Sequence, residues 1–493
     1  MFSFLKRSHQ SDLPPLQLHN TLSGRLEVFE PLGPSVKIYN CGPTAYDEQH
    51  IGNLFPPVVA NVLHRTLEAW GYQVEEVNNI TDFGHLSEDE ESEDKMTRGL
   101  KREGKTLTLA NMRWLAEKYA ELFFADLPEV GINPKAVRYP RASDYIAEQI
   151  AVVKTLEQKE YAYRTSDGVY FDTSRFSGYG KLGSVNLQGQ RAGARVQENM
   201  EKRTPFDFAL WKLDKKLGWK SPWGLGFPGW HTECVAMIFT LLGRQIDIHM
   251  GGVDLIPTHH NNEIAQAEAL TGKQFVRYWI HNAHITIEGK KVSKSLGNTV
   301  YLHNLADRGL SPRALRYWFL TGHYRAPMNF TWDAIEGANT ALGRLQRAYL
   351  ELHGAKGDAL RSPGLRRRLD TESNAKEKLF VEDFYAAIAD DLNTPRALAL
   401  LWDAIKNKTV SQATVAKADQ ILGLGLAENR PMAKLSVIAA SDLPEEVQKL
   451  LAEREAARLA KDFAASDVLR DQIETMGYEI KDTPSGTKIT TKS

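Results

Sequence analysis

Val36-Lys-Ile-Tyr-Asn-Cys41-Gly-Pro-Thr-Ala-Tyr-Asp-Glu-Gln-His50-Ile-Gly-Asn53 is the stretch from which the rest of the chain can be read. Val36, Ile38 and Tyr39 form the short apolar run of a buried strand, and Gly42-Pro43 breaks it. Pro56-Pro57 then suits the first turn of a helix, where a missing N–H does no harm. That helix is expected to run to Trp70. Its apolar positions Val58, Val59, Val62, Leu63, Leu67 and Trp70 make a helical stripe, Gly71 is placed to end it, and residues 73–80 read as the next strand. Strand, helix and strand make a βαβ unit. His50, Gly52 and Asn53 then lie just outside a strand's carboxyl end and near a helix N-terminus, where α/β folds bind phosphate-bearing ligands.

The 493 residues suffice for several domains and a large core, and 42% hydrophobic with 25% charged is ordinary globular composition. A net charge of −1 excludes a uniformly basic nucleic-acid binder, so any RNA contact must come from local patches such as Arg366-Arg367-Arg368. The two cysteines are too few for a disulfide framework. The start Met-Phe-Ser-Phe-Leu-Lys-Arg lacks the apolar core of a signal peptide, and no apolar run reaches membrane-spanning length. A cytoplasmic protein is expected, with no membrane partner and with reduced thiols free for metal or catalysis.

Residues 1–15 read as a frayed terminus, and the acidic, apolar-poor run at 88–94 as a solvated loop. Helices are expected at 106–127 and 145–156, with a hairpin at 162–172 around Ser166-Asp167-Gly168. The region 137–228 looks like an insertion. The α/β pattern then returns, with a helix at 235–243, a strand at 245–249, a helix at 259–270, a strand-like run at 279–287 and a lysine- and serine-rich loop at 289–298. From Ser311 onward strands are expected to disappear, and stripes such as Phe380, Phe384, Ile388 and Leu392 point to a helical bundle. Residues 427–441 read as a linker. Two more helices at 445–476 precede a tail at 481–489 that is compatible with β structure.

Two constellations could carry chemistry. His259 and Glu263 are an i, i+4 pair, a spacing that lets an imidazole and a carboxylate converge on one ion, with Cys41 and Cys234 arriving through the fold. By spacing alone the signal is weak, and either cysteine reads more readily as a small buried hydrophobe. The second is Lys291-Val-Ser-Lys-Ser295 followed by Leu-Gly-Asn. Two lysines and two serines beside a glycine can wrap a polyphosphate, although a charged surface loop explains them equally well. Paired with His50-Ile-Gly-Asn53 in one nucleotide fold, they would flank a triphosphate.

Taken together, these segments resemble the cysteinyl-tRNA synthetases, of the class I aminoacyl-tRNA synthetase group, over nearly the whole chain. Cys41-Gly-Pro-Thr-Ala-Tyr-Asp through His50-Ile-Gly-Asn53 looks like that family's first signature and Lys291-Val-Ser-Lys-Ser295 like its second. Gly229-Trp-His-Thr-Glu-Cys234 and Gly251-Gly-Val-Asp through His259-His-Asn-Asn-Glu263 match the stretches that carry its remaining zinc ligands. The match continues through Asp207-Phe-Ala-Leu-Trp-Lys212, Gly322-His-Tyr-Arg325, Asp391-Leu-Asn-Thr-Pro395, Glu453-Arg454 and Asp482-Thr-Pro-Ser-Gly-Thr487. Four departures stand out: Asn53 for a second histidine, Val292 for methionine, Phe227 where Arg commonly precedes Pro-Gly-Trp-His, and residues 83–93, which interrupt the usual Thr-Asp-Ile-Asp-Asp-Lys.

The resemblance implies one zinc ion per chain on Cys41, Cys234, His259 and Glu263, with the substrate thiolate adding itself to the metal. It implies that Thr81 and Trp230 line the amino-acid pocket and that Gly252 and Asp254 lie near the adenosine. His50 and Asn53 are expected to act on the α-phosphate, and Lys291 and Lys294 on the leaving pyrophosphate with Mg²⁺. Gly52, Ser293 and Ser295 complete the ATP site. The implied fold is a Rossmann-like catalytic domain (16–136 and 229–312) split by a connective-peptide insertion (137–228). A helical bundle that contacts tRNA (313–426) and a small C-terminal anticodon-recognition region (441–493) follow. The implied activity is ATP-dependent joining of cysteine to tRNA(Cys) by a monomer. The alternatives are the mycothiol-pathway ligase, a shortened relative joining cysteine to an amino sugar, and a silent paralogue that only binds RNA.

Overall fold

The computed structural model describes residues 13–84, 94–185, 200–292, 297–352, 363–428, 443–460, 462–483 and 486–491. Seven elements position the site: β1 (Ser35–Asn40), α1 (Ile51–Ala69), β2 (Gln73–Asn78), α2 (Trp230–Leu241), β3 (Ile246–Gly252), α3 (Asn261–Thr271) and β4 (Val276–Asn282). The strands form a four-stranded sheet in the order β4-β3-β1-β2. All its pairings are parallel. A parallel sheet is covered on both faces, which is why β3 reads as a nearly unbroken buried run rather than an alternating one. Chain order reverses between β1 and β3, and there the strands' carboxyl ends splay into the crevice where open α/β sheets bind ligands.

Helix α1 begins five residues earlier than the prolines suggested, with His50 as its N-cap and Pro56 and Pro57 inside it. A distant segment makes this possible. Ile51 N–H donates to Val300 O at 2.8 Å and Asn53 N–H to His50 O at 2.8 Å, so the first orphan donors are satisfied before the prolines are reached. Lacking N–H groups, Pro56 and Pro57 leave the carbonyls of Gly52 and Asn53 without their usual helical donors.

Strands do not disappear after Ser311. Met328–Phe330 pairs in parallel with Ile285–Ile287, which pairs on its other edge with Lys290–Lys291. The short helix Lys95–Arg102, capped by Asp94 accepting from Thr97 N–H, was not anticipated, because its buried face is only Met96, Gly99 and Leu100. The rest of the acidic run, 88–93, lies outside the described residues. Beyond 313 the helices Arg313–Thr321, Trp332–Glu351, Pro363–Ala389, Thr394–Lys406 and Gln412–Leu422 form the bundle. Three arginines attach it to the α/β unit at the convergent C-termini of Gln412–Leu422 and Leu109–Glu129. Arg65 donates to Gly131 O and Gln420 O, Arg313 to Gly423 O, and Arg316 to Leu422 O and Val130 O. Cations belong at helix C-termini, where the terminal carbonyls lack donors. The final segment has its own small core of Leu443, Val447, Leu451, Ile473, Ile480 and Ile489, and ends in the hairpin Tyr478–Thr483 with Gly486–Thr491.

Within 137–228, residues near 138–142 run along the outer edge of β2, with Asn78 N–H donating to Arg138 O and Ile80 N–H to Pro140 O. Helix Ile146–Gln158 packs on α2 and α3. A separate five-stranded antiparallel sheet begins at Ala162. The hairpin Ala162–Thr165 with Gly168–Phe171 opens it. This sheet meets the catalytic sheet through three rings: Phe83, just past β2, stands 5.0 Å from Trp219 and 6.3 Å from Phe227, and the last two are 5.5 Å apart. Phe227 and Phe83 are buried. The two departures from the family pattern near the pocket therefore pack against each other. Phe227→Ala should cost about 3–5 kcal/mol in urea unfolding. Phe227→Arg should cost at least as much, since it buries a cation among the rings, even though Arg is the residue the family pattern carries. Unchanged stability of the Arg variant would contradict this packing.

Candidate functional site

Four elements deliver four metal-binding atoms to the crevice. Cys41 follows β1, Cys234 is on α2, His259 is in the π-helical turn Ile256–His260, and Glu263 is in the first turn of α3. Their ligand atoms all lie within 4.8 Å of one another. The close turn after Cys41 requires Gly42: a Cβ there would sit 1.6 Å from Asn79 O at the end of β2. Cys41 N–H donates to Met250 O at 3.2 Å, keeping the cysteine at the β1–β3 junction. π-turns recur at functional sites because they re-aim side chains. Here His259 faces Glu263 and Cys234, while the adjacent His260 faces Cys41 and His281.

The donors converge on a common point rather than on each other. Glu263 is fully buried, with its oxygens 2.9 Å from His259 Nε2 and 2.8 Å from His249 Nε2, yet neither contact has the alignment of a hydrogen bond. Burial opposes charge on Glu263, but the His249 and His259 rings overcome it and hold the carboxyl well below its usual range. Burial likewise disfavours protonated His259, but Glu263 and Cys41 outweigh it and push the ring up to about 10. Burial resists ionisation of Cys41, but the Cys234 S–H and the His259 charge bring it well below a normal thiol. Cys234 is held well above by burial and by that neighbouring thiolate. Two sulfurs, an imidazole nitrogen and a carboxylate oxygen in a compact, largely buried cage are a donor set that could hold a metal ion, and one that suits zinc. His231 Nδ1 lies 2.9 Å from His259 Nδ1, which orients the ring with Nε2 toward the cage.

Sequence reasoning missed the second layer of histidines. His260 Nε2 is 3.4 Å from Cys41 Sγ, its Nδ1 is 2.8 Å from His281 Nε2, and His281 Nδ1 is 2.8 Å from Thr21 Oγ1. Burial holds both His260 and His281 below the ordinary imidazole range. The signal was the crowding of His231, His249, His259, His260 and His281 around one cysteine-bearing helix.

Of the other expected site residues that are described, Trp230 and Thr81 lie by the cage and its flanking strands, and Gly52 and Asn53 lie on α1. The Trp230 ring lies over His259, with centroids 4.0 Å apart at 30°. Thr81 is buried and donates to Glu233 Oε2 at 3.2 Å; burial, then Asp82, pushes the Glu233 carboxyl well above its usual range. Gly252 ends β3, and a Cβ on it would stand 2.3 Å from Asp254 Oδ1. At the N-terminus of α1, Gly52 gives room to the His50 ring, which a Cβ would approach to 3.1 Å, and Asn53 is exposed. Lys291 is exposed on its short strand, and its carbonyl accepts from Asn298 Nδ2 at 3.0 Å across the base of the signature loop. Ser293, Lys294 and Ser295 lie outside the described residues. The chain leaving that loop returns beside the first signature, since His50 bridges Tyr301 and Ile51 N–H donates to Val300 O.

Residues 28–340 match the model of the class I (C) tRNA synthetase catalytic domain, and residues 440–489 the cysteinyl-tRNA ligase anticodon binding domain. The chain is 42% identical to cysteine–tRNA ligase 1 of Burkholderia lata, over 96% of this chain and 97% of that one. With cysteine–tRNA ligase of Thermus thermophilus it shares 42% identity over 96% and 98%, and with that of Aquifex aeolicus 38% over 96% and 98%. Among solved structures, methionyl-tRNA synthetase of Mycobacterium tuberculosis with methionyl-adenylate superposes with a TM-score of 0.57 at 14% identity, covering 80% of this chain and 90% of that one, a likeness of fold. Near-complete coverage on both sides, together with both domain models, shows that the chain belongs to the cysteinyl-tRNA ligase family of class I aminoacyl-tRNA synthetases.

Proposed function

We propose that this ligase selects cysteine at the Cys41, Cys234, His259 and Glu263 cage, activates it with ATP at the adjoining strand ends, and transfers it to the 3′ end of tRNA(Cys) in the cytoplasm. The observation that carries the reading is the convergence of four donor atoms, three of them from buried residues, at the chain-order reversal of the sheet. Zinc in such a cage supplies a soft cation that binds a thiolate and not an alcohol. Trp230, stacked on His259, and Thr81, hydrogen-bonded to Glu233, close the amino-acid side of the crevice and exclude water.

In the first step the cysteine carboxylate attacks the α-phosphate of ATP, and pyrophosphate leaves. His50 and Asn53, at the positive end of α1, stabilise the charge that builds on the α-phosphate. Lys291, with Lys294 of the same signature, neutralises the leaving pyrophosphate together with Mg²⁺, while Ser293 and Ser295 bond its oxygens. Gly252 and Asp254 hold the adenosine. In the second step a ribose hydroxyl of the tRNA attacks the adenylate. We assign tRNA contact to the bundle at 313–426 and anticodon recognition to 441–493, with the catalytic halves 16–136 and 229–312 flanking the insertion, and take the working unit to be the monomer. A mycothiol-pathway ligase is not favoured, because the relatives are matched along their whole length and the anticodon-binding model is present. Among the described residues no helix is long and apolar enough to cross a membrane.

Elemental analysis of purified protein should find about one zinc per chain, and Cys234→Ser should lose most of it. Unchanged metal content in that variant would mean the ligand set is wrong. Lys291→Ala should lower kcat for adenylate formation by about 100- to 1,000-fold with little change in KM for cysteine, because its charge is matched to a phosphate. Normal pyrophosphate exchange would remove Lys291 from the mechanism. Serine should be rejected at activation, since a steric pocket alone separates such near-isosteres by only about 10- to 200-fold. Comparing ATP–pyrophosphate exchange with cysteine and serine, and offering pre-formed seryl-tRNA, tests this. Robust serine activation followed by rapid deacylation would refute it.

A further inference from the structure

The segments Gly322-His-Tyr-Arg325 and Asp391-Leu-Asn-Thr-Pro395 take no part in the site above, yet they fold onto each other. Asp391 is 3% exposed, and its carboxylate accepts three hydrogen bonds. Its Oδ1 accepts from the Tyr324 hydroxyl at 2.7 Å and from His19 N–H at 2.8 Å, its Oδ2 accepts from Arg325 Nε at 2.7 Å, and His323 Nε2 stands 3.6 Å away. The chain is bent to bring it there: Asp391 (φ 54) and Leu392 (φ 55) are consecutive left-handed residues between helices Pro363–Ala389 and Thr394–Lys406. Non-glycine residues keep such angles only where their surroundings over-determine them.

Two partners of Asp391 lead to two points along β4, one within the strand and one at its carboxyl end. His19 lies in the strand Gln17–Asn20, which continues into Thr21, whose N–H donates to Trp279 O of β4 at 2.9 Å. The carbonyl of Tyr324 accepts from Ala283 N–H at 2.9 Å, immediately past β4, where the chain sets out for Ile285–Ile287 and Lys291. Asp391 itself belongs to the bundle. One buried carboxylate thus bonds the turn between two bundle helices to the strand Gln17–Asn20 and to Tyr324, each of which continues to β4 by a backbone hydrogen bond, apart from the arginine attachment at Gln412–Leu422. Loss of this anchor leaves the other in place, so the expected consequence is tilt of the bundle rather than its unfolding.

We propose that Asp391 is a positioning residue for the transfer step: with Tyr324 and Arg325 it sets the angle of the bundle on the catalytic sheet, so that RNA held by the bundle presents its 3′ end to the adenylate. The described groups assigned to activation lie at the strand ends, on α1 and on Lys290–Lys291, and none of them bonds to Asp391. This inference rests on the tRNA-ligase reading. Asp391→Asn risks misfolding, so the informative variants are Tyr324→Phe, Arg325→Met and their combination, each keeping the ring or the aliphatic stem while deleting a donor. Cysteine-dependent ATP–pyrophosphate exchange should stay within about two-fold of the parent, while kcat for tRNA charging should fall roughly ten-fold in the double variant at near-constant KM for tRNA, with partial rescue by Arg325→Lys. A parallel loss of both activities would assign the cluster to the catalytic strand instead. Full charging by a double variant with a lowered melting midpoint would reduce it to a structural contact, and either result overturns the proposal. If the parent enzyme itself charges no tRNA, it is the ligase reading that fails.

Discussion

Burying Glu263 between two histidines and beside two thiols at the ends of parallel strands is the constraint on which the rest of the structure depends. A carboxylate removed from water costs several kcal/mol, roughly, unless opposite charge meets it, and His249 and His259 supply that charge without satisfying it by aligned hydrogen bonds. The arrangement is thus held by the fold rather than by its own contacts. Gly42 permits the turn that brings Cys41 back to β3, the π-turn separates the directions of His259 and His260, and His231 fixes the ring of His259. Each device is local, but all of them act at the one place where chain order reverses.

How much of this could be read from the sequence follows from the range of the forces. The β1-α1-β2 unit was legible because buried strands and amphipathic stripes are periodic signals, and Cys41, His50, Gly52 and Asn53 inherit their placement from it. Convergence of Cys234 on Cys41 was not legible from spacing, since it depends on the packing of α2 against the sheet. The early start of α1 was missed because the groups that satisfy its first donors lie at Val300 and His50, one of them far along the chain. Met328–Phe330 escaped for a related reason: a three-residue strand carries no period of its own, and its partner is Ile285–Ile287. His249, His260 and His281 were passed over individually, as a single histidine in an apolar run usually is.

Phe83, Trp219 and Phe227 show why departures from a pattern are better read in pairs. Taken singly, an aromatic residue before Pro228 or after Asp82 leaves local contacts near the pocket in question. Together they form one apolar contact between the end of β2 and the antiparallel sheet, and they flank the two segments that carry Thr81 and Trp230. Asp82, beside Phe83, is buried and accepts from Ser143 N–H and Oγ, so this segment is fixed from both sides. The side chains that we assign to the amino-acid pocket are therefore held by packing that the cage chemistry does not see.

A division of labour follows from how each part is fastened. The cage and the side of the crevice that we assign to the amino acid are held by short-range contacts within a single sheet and its helices, which suits the proposed discrimination of sulfur from oxygen, where small displacements matter. The bundle packs on α1 through apolar contacts such as Phe55 with Phe319 and Trp70 with Tyr385, and adds directional polar ones, the arginines on helix carbonyls and Asp391 on its donors. Such contacts define an angle over a long lever arm better than apolar packing does, because a hydrogen bond weakens steeply once its alignment is lost. The C-terminal segment has a core of its own. Precision is therefore concentrated where one atom must be recognised, and it relaxes outward toward the parts that we assign to a large, adaptable RNA.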